Sequence, residues 1–147
     1  MQMKKIIIGF IGDHNSGRTT ASDFFKRKGF HKASINDKVR EFAKYLFPNK
    51  EIQQDKSTLN NVRRRGVKVS KEYWLNLVLI TVPDDKTMIV FDDISMDEAE
   101  TNKITTFQIY RPGVSTINLP NIETIENNGS LPEFIEKINQ LYKKIIR

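Results

Sequence analysis

Residues 4–20, KKIIIGFIGDHNSGRTT, run from an apolar block into a glycine-bounded polar loop and then into a helical pattern. Ile6, Ile7, Ile8, Phe10 and Ile11 leave almost no polar position in the first block. That is the pattern of a central parallel strand buried on both faces, here expected over residues 4–11. Gly12 and Gly17 bound four polar or small residues, and Arg18, Thr19 and Thr20 follow.

Strand, Gly-x4-Gly, basic residue, Thr, helix is the order of a phosphate-binding P-loop. The glycines let the backbone bend around an anion and turn its N–H groups inward. The next helix aims the positive end of its dipole at the same point. On this reading Gly12, Asn15, Ser16, Gly17, Arg18, Thr19 and Thr20 hold a nucleotide phosphate chain, and the Thr19 hydroxyl holds Mg2+. The usual lysine is replaced by Arg18.

Downstream, helices are expected over residues 17–28, from a cap at Ser34 or Asn36 to Phe47, over 57–65 with Gly66 closing it, over 71–82 with Ser70 as cap, over 95–102 and over 131–145. The helix over 71–82 is apolar almost all round and is expected to be buried on every side. Residues 50–55 are polar and read as a loop. Strands are expected over 30–35, 87–93 and 104–111, with short β-like pieces over 116–119 and 122–125. Strands alternating with helices define an α/β fold with a mainly parallel sheet.

The strand over 87–93 ends in Asp92 and Asp93. Ligands of open parallel sheets bind at the carboxyl ends of the strands, so both acids fall beside a nucleotide held by the loop. A hydrophobic strand ending in Asp is the Walker B arrangement, which orients magnesium. The alternative is a pair of turn residues after an edge strand. Arg63, Arg64 and Arg65 form the densest positive charge. They read either as a solvated helix end that complements the dipole or as a phosphate clamp.

The chain has 147 residues, no cysteine and a net charge of +6. It is read as one domain, residues 1–147, without repeats or linkers. A domain of this size buries about 68–70% of the surface its unfolded chain exposes. The absence of cysteine excludes disulfides and thiolate metal sites and fits a reducing cytoplasm. The first apolar run has neither the length nor the cleavage pattern of a signal peptide. No stretch approaches the ~18 apolar residues of a membrane span. Positive charge suits an anionic ligand, and a composition rich in Lys, Asn and Ile arises equally from AT-rich coding. Nucleic-acid binding is not expected, because aromatic residues do not interleave with the basic cluster.

Taken in order, these motifs resemble the deoxynucleoside monophosphate kinases of phages and their relatives, within the P-loop nucleoside monophosphate kinase fold. Gly12 to Phe24 is similar to that family's Ser-Gly-Lys-Asp-Thr segment and helix. Ile35 to Ala43 is similar to its Phe-Ala-Asp-Pro-Leu-Lys segment, with Asp37 and Arg40 on the Asp and Lys positions. Trp74 falls on a helix that carries Trp. Phe91 to Ile94, Asp97 to Glu100, Tyr110 to Gly113 and Ile125 to Leu131 are similar to four further segments.

The resemblance implies a three-layer fold, ATP and Mg2+ as cofactors, and transfer of phosphate to a (deoxy)nucleoside monophosphate. It implies Arg18, Asp92, Arg63 and Arg64 as catalytic residues and Arg111 as a further ATP contact. Asp37, Arg40, Arg63, Arg64 and Trp74 would face the acceptor, and Thr19, Asp92 and Asp93 the metal. A cytoplasmic monomer or homodimer with a small-molecule nucleotide partner follows.

Three features depart from the family. Arg18 stands for the lysine, Ser95 stands where an arginine usually follows the acids, and the shorter chain has no evident arginine-bearing lid. Because phosphoryl transfer depends on positive charge around the moving group, a second reading is a nucleotide-binding protein without turnover.

Overall fold

A computed structural model describes residues 5–101 and 103–147. Lys4, placed by sequence at the start of the first strand, and Asn102, placed at a helix end, lie outside the described residues.

Five strands form one all-parallel sheet: β1 (Ile6–Ile11), β2 (His31–Ala33), β3 (Met88–Phe91), β4 (Thr105–Tyr110) and β5 (Glu123–Glu126), in spatial order β2-β3-β1-β4-β5. The helices are α1 (Arg18–Arg27), α2 (Ile35–Leu46), α3 (Lys50–Gln54), α4 (Lys56–Val69), α5 (Tyr73–Thr81), α6 (Met96–Ala99) and α7 (Leu131–Ile145). β1 lies in the middle, between β3 and β4, so the loop after it opens at the point where the strand order reverses. Crevices that bind ligands form at such a point.

Alternation along the strands divides the core into two layers. Ile8, Phe10, Val90, Phe107, Ile109 and Ile125 face α1 and α7 and meet Phe24, Phe25, Phe134, Ile138 and Leu141. Ile89, Phe91, Ile94 and Ile104 join the opposite cluster with Val39, Val62, Trp74, Leu75 and Val78 from α2, α4 and α5. This is the three-layer α/β architecture of P-loop proteins, with helices on both faces of the sheet. Among the described residues no helix is long and apolar enough to cross a membrane.

Several local expectations are corrected. Residues 50–54 are helical rather than a loop, because the Asn49 side chain caps the turn by accepting from the Glu51 N–H. Gly66 does not close α4, which continues to Val69. The glycine is there for contact: a Cβ would lie 2.5 Å from Trp74 Nε1 and 2.5 Å from Tyr73 Cδ1. Ser70 does not cap α5. It is the C-cap of α4, and α5 begins three residues later. Nor is α5 buried all round. Trp74, Leu75 and Val78 are covered, but Ile80 is 79% exposed, since only one side of the helix meets α2, α4 and the sheet. Residues 116–119 are not a strand. Their polar groups bond to the buried Gln108 side chain, which accepts from the Leu119 N–H and donates to Asn118 Oδ1.

The Gly66 contact gives a direct prediction. Alanine is the better helix former by up to about 1 kcal/mol, whereas overpacking costs about 1–3 kcal/mol. Gly66→Ala is therefore expected to lower stability by about 1–2 kcal/mol. A urea midpoint equal to or above that of the parent chain would contradict it.

Candidate functional site

The loop between β1 and α1 is held from three directions. Arg111, just beyond β4, donates to the Asn15 carbonyl at 3.1 Å. Asn127, after β5, donates from Nδ2 to the Ser16 carbonyl at 2.9 Å. The Asp13 carboxylate accepts from the Thr116 and Ile117 N–H groups. Gly17 has φ +119°, where a Cβ would also meet Asn127 and Phe134. Asn15 has φ 66°, a conformation that asparagine tolerates well.

Gly17 is the N-cap of α1 and offers no side-chain acceptor, and the first turn contains no acid. The N–H groups of that turn have no intrahelical acceptor, and the dipole is not offset by a carboxylate. This is the local chemistry of an anion site.

Two cavities meet at the loop. One, of about 580 Å3, is lined by Asn15, Gly17, Thr20, Arg111, Asn127 and Phe134 among others. The second, of about 550 Å3, is lined by Lys26, Lys32, Asn36, Asp37, Arg40 and Asp92 among others. His14, Arg18 and Thr19 belong to both. Ala33 is the one apolar side chain in the lining of the second cavity.

β3 is an inner strand, paired with both β2 and β1, so its terminal acids are not turn residues at a sheet edge. The two acids have separate tasks. Asp93 is buried, and its carboxylate accepts from Ser34 Oγ at 2.8 Å, the Ile35 N–H at 2.9 Å and the Asn36 N–H at 2.8 Å. It fixes the start of α2, where Ser34 is the cap. Three hydrogen bonds thus engage the Asp93 carboxylate at the start of α2, although Asp93 also lines the second cavity.

Asp92 faces the second cavity, and its Oδ1 is buried without a hydrogen-bond partner. Burial, and then the Asp93 charge, hold Asp92 above the usual carboxylate range. Lys32 and Arg18 pull it down only in part. The Lys32 ammonium bonds to Asp23 Oδ1 at 2.7 Å and lies 3.6 Å from Asp92 Oδ2. Burial works against the Lys32 charge, but the bond to Asp23 and the attraction of Asp92 and Asp23 outweigh it and raise its pKa. The Lys32–Asp92 contact is therefore loose, and Asp92 is left under-satisfied.

Magnesium accepts one or two carboxylates together with substrate phosphates. Asp92 and Thr19 line the same cavity, and a carboxylate with an unpartnered oxygen beside a threonine hydroxyl fits that requirement. Among the described residues there is no cluster of three or more His or carboxylate side chains that would cage a metal alone.

The arginine cluster is divided. Arg63 donates to Asn36 Oδ1, to the Asp93 carbonyl and, at 2.6 Å, to Glu98 Oε1, whose side chain is fully buried. It joins α4 to the starts of α2 and α6 and is not free to clamp phosphate. Arg64 is exposed and lines neither cavity. Arg65 bonds to Asn61 and lines an apolar groove between α2, α4 and α5. Trp74 is 3% exposed, donates from Nε1 to the Arg63 carbonyl and borders that groove, not the second cavity. The assignments of Arg63, Arg64 and Trp74 to the acceptor are corrected accordingly. Ser95 caps α6 in a reciprocal pair with Glu98. Asp37 and Arg40 do line the second cavity, bonded to each other at 2.8 Å.

His14, Lys26, Lys32 and Asn127 were not legible as site residues. The tertiary structure brings Lys32 there, because β2 pairs with β3 with Lys32 opposite Val90, two residues before Asp92.

Fold and loop together define a three-layer P-loop-type α/β protein. No protein-family model matches the chain, and no curated protein matches it. Among solved structures, the crystal structure of TT1252 from Thermus thermophilus is similar with a TM-score of 0.50, over 98% of this chain and 97% of that one, at 14% identity. At that identity the likeness concerns the fold alone.

Proposed function

We propose that the protein binds ATP at the loop and transfers its γ-phosphoryl group to a (deoxy)nucleoside monophosphate, giving the diphosphate and ADP. The observation that carries this reading is the meeting of two cavities at Arg18 and Thr19. The phosphate chain lies over the amides of the loop and of the first α1 turn, and Arg111 and Phe134 border the donor cavity. The acceptor's phosphate enters the polar cavity beside Lys26, Lys32 and Arg40. An acceptor phosphate oxygen attacks the γ-phosphorus, and the bond from that phosphorus to the bridging oxygen of ADP breaks. Bound Mg2+ neutralises developing phosphate charge. Arg18, shared by both cavities, is the side chain placed to follow the moving phosphoryl group. The protein is read as cytoplasmic, with a small-molecule partner.

The second reading, binding without turnover, is favoured by a specific observation. Arg18 stands in place of the loop lysine, and Ser95 caps α6 at the position where the kinases this chain resembles usually place an arginine. Arg is a planar fork on a longer stem, suited to holding phosphate but differently placed from lysine. The experiment is incubation with Mg-ATP and each common ribo- and deoxyribonucleoside monophosphate, with detection of diphosphates. Formation of a nucleoside diphosphate from one acceptor supports transfer. No product with any acceptor, alongside retained ADP binding, leaves the binding protein.

A metal prediction accompanies this reading. Thr19→Ala and Asp92→Asn should each weaken ADP binding with Mg2+ by at least about tenfold, about 1.4 kcal/mol, and without Mg2+ by much less. Calorimetry in the two buffers checks it, and equal losses would remove the metal role.

A further inference from the structure

The loop lacks its lysine, yet a lysine stands in the same cavity, delivered by a different element. Lys32 is the middle residue of β2 and shares the second cavity with Arg18, Thr19 and Asp92. Of the charged groups there, Arg40 is paired with Asp37, and Asp93 is used at the start of α2. Lys32 has one firm partner, Asp23 at 2.7 Å, on α1. Its distance of 3.6 Å from Asp92 is too long for a normal hydrogen bond. An ammonium has three donors on a flexible stem, so two remain for a ligand. The Asp23 bond ties the ammonium to α1.

We propose that Lys32 is a ligand of the acceptor's phosphate group, supplying from β2 the compact positive charge that the loop does not carry. The ligand class is a phosphate monoester dianion. It is held between the Arg18 guanidinium on one wall and the Lys32 ammonium on the other. Lys32 also neutralises Asp92 until the metal engages it, which keeps an under-satisfied carboxylate from repelling the incoming anion. This inference rests on the two-cavity phosphotransferase reading.

The test is calorimetry in saturating Mg-ADP, titrating inorganic phosphate and the 5′-monophosphates of thymidine, adenosine, guanosine and cytidine. At least one monophosphate is expected to bind the parent chain. Its affinity should fall at least about tenfold in Lys32→Met and return to within about threefold in Lys32→Arg, since the charge is what acts. A purely structural tether would not make monophosphate affinity follow the charge at position 32. Thermal melting of each variant identifies any loss that comes from unfolding, and Lys32→Arg then carries the comparison with Lys32→Gln. Equal monophosphate affinity in the parent and Lys32→Met overturns the proposal, as does failure of every anion to bind the parent. If ADP binds while all acceptor anions fail, the loop reading survives and the Lys32 role does not. If ADP also fails, the two-cavity reading falls with it.

Discussion

Replacing Arg18 by alanine is expected to weaken ADP and ATP binding on the order of 10–100-fold, because hydrogen bonds to charged groups contribute about 1.5–3 kcal/mol each. Arg18 is the guanidinium common to both cavities, and it sits in the first turn of α1, whose N–H groups have no side-chain cap. Its removal takes away charge where phosphate would carry most of its own. Arg18→Lys keeps the charge but shortens the reach and removes the fork, so it should retain most of the binding. Turnover separates the two functional readings. In a working kinase, turnover falls at least tenfold in Arg18→Ala and stays similar or lower in Arg18→Lys. In a binding protein, Arg18→Lys creates no activity, because Ser95 still caps α6 and supplies no second cation. Undiminished ADP affinity in Arg18→Ala would count against the phosphate site altogether.

The second large effect is on stability. Arg63→Met leaves the fully buried Glu98 carboxylate without its ion-pair partner. Removing one member of a buried pair costs about 3–5 kcal/mol, and for this chain length each kcal/mol lowers Tm by about 2–4 °C. A fall of roughly 6–20 °C is therefore expected. Adding Glu98→Gln should recover much of it, because glutamine removes the unpaired charge and still accepts from the Ser95 N–H, as Glu98 Oε1 does at 3.0 Å. The pair of variants separates this role from a phosphate clamp. A Tm unchanged within about 3 °C together with lost monophosphate binding would return Arg63 to the ligand.

The first strand, the loop and its helix were legible because their signals are local. A run of β-branched and aromatic residues, two glycines with four residues between them and a hydroxyl in the first turn of a helix constrain their own backbone. Some errors were local, as at the Asn49 cap of residues 50–54 and the Ser70 C-cap of α4, and others fell where a distant side chain decides. A glycine after three arginines reads as a helix end, and only the approach of Tyr73 and Trp74 explains why a glycine stands inside α4. Residues 116–119 have β-like composition, but Gln108, on β4, meets their polar groups instead of a strand.

The site divides in the same way. The sequence alone determined an α/β chain with a glycine-bounded loop after a buried strand and two acids at the end of another, because periodicity and turn chemistry act within a few residues. It could not divide labour between Asp92 and Asp93, which are neighbours of one type. The tertiary structure decided that by placing the start of α2 on Asp93 and leaving Asp92 Oδ1 buried and unpartnered. It likewise took Arg63 out of the cluster, because Glu98, buried 35 residues away, requires a counter-charge, and it put Lys32 beside Asp92 because β2 pairs with β3. Charge partners are set by which elements pack together, and no local pattern in a sequence encodes that distance.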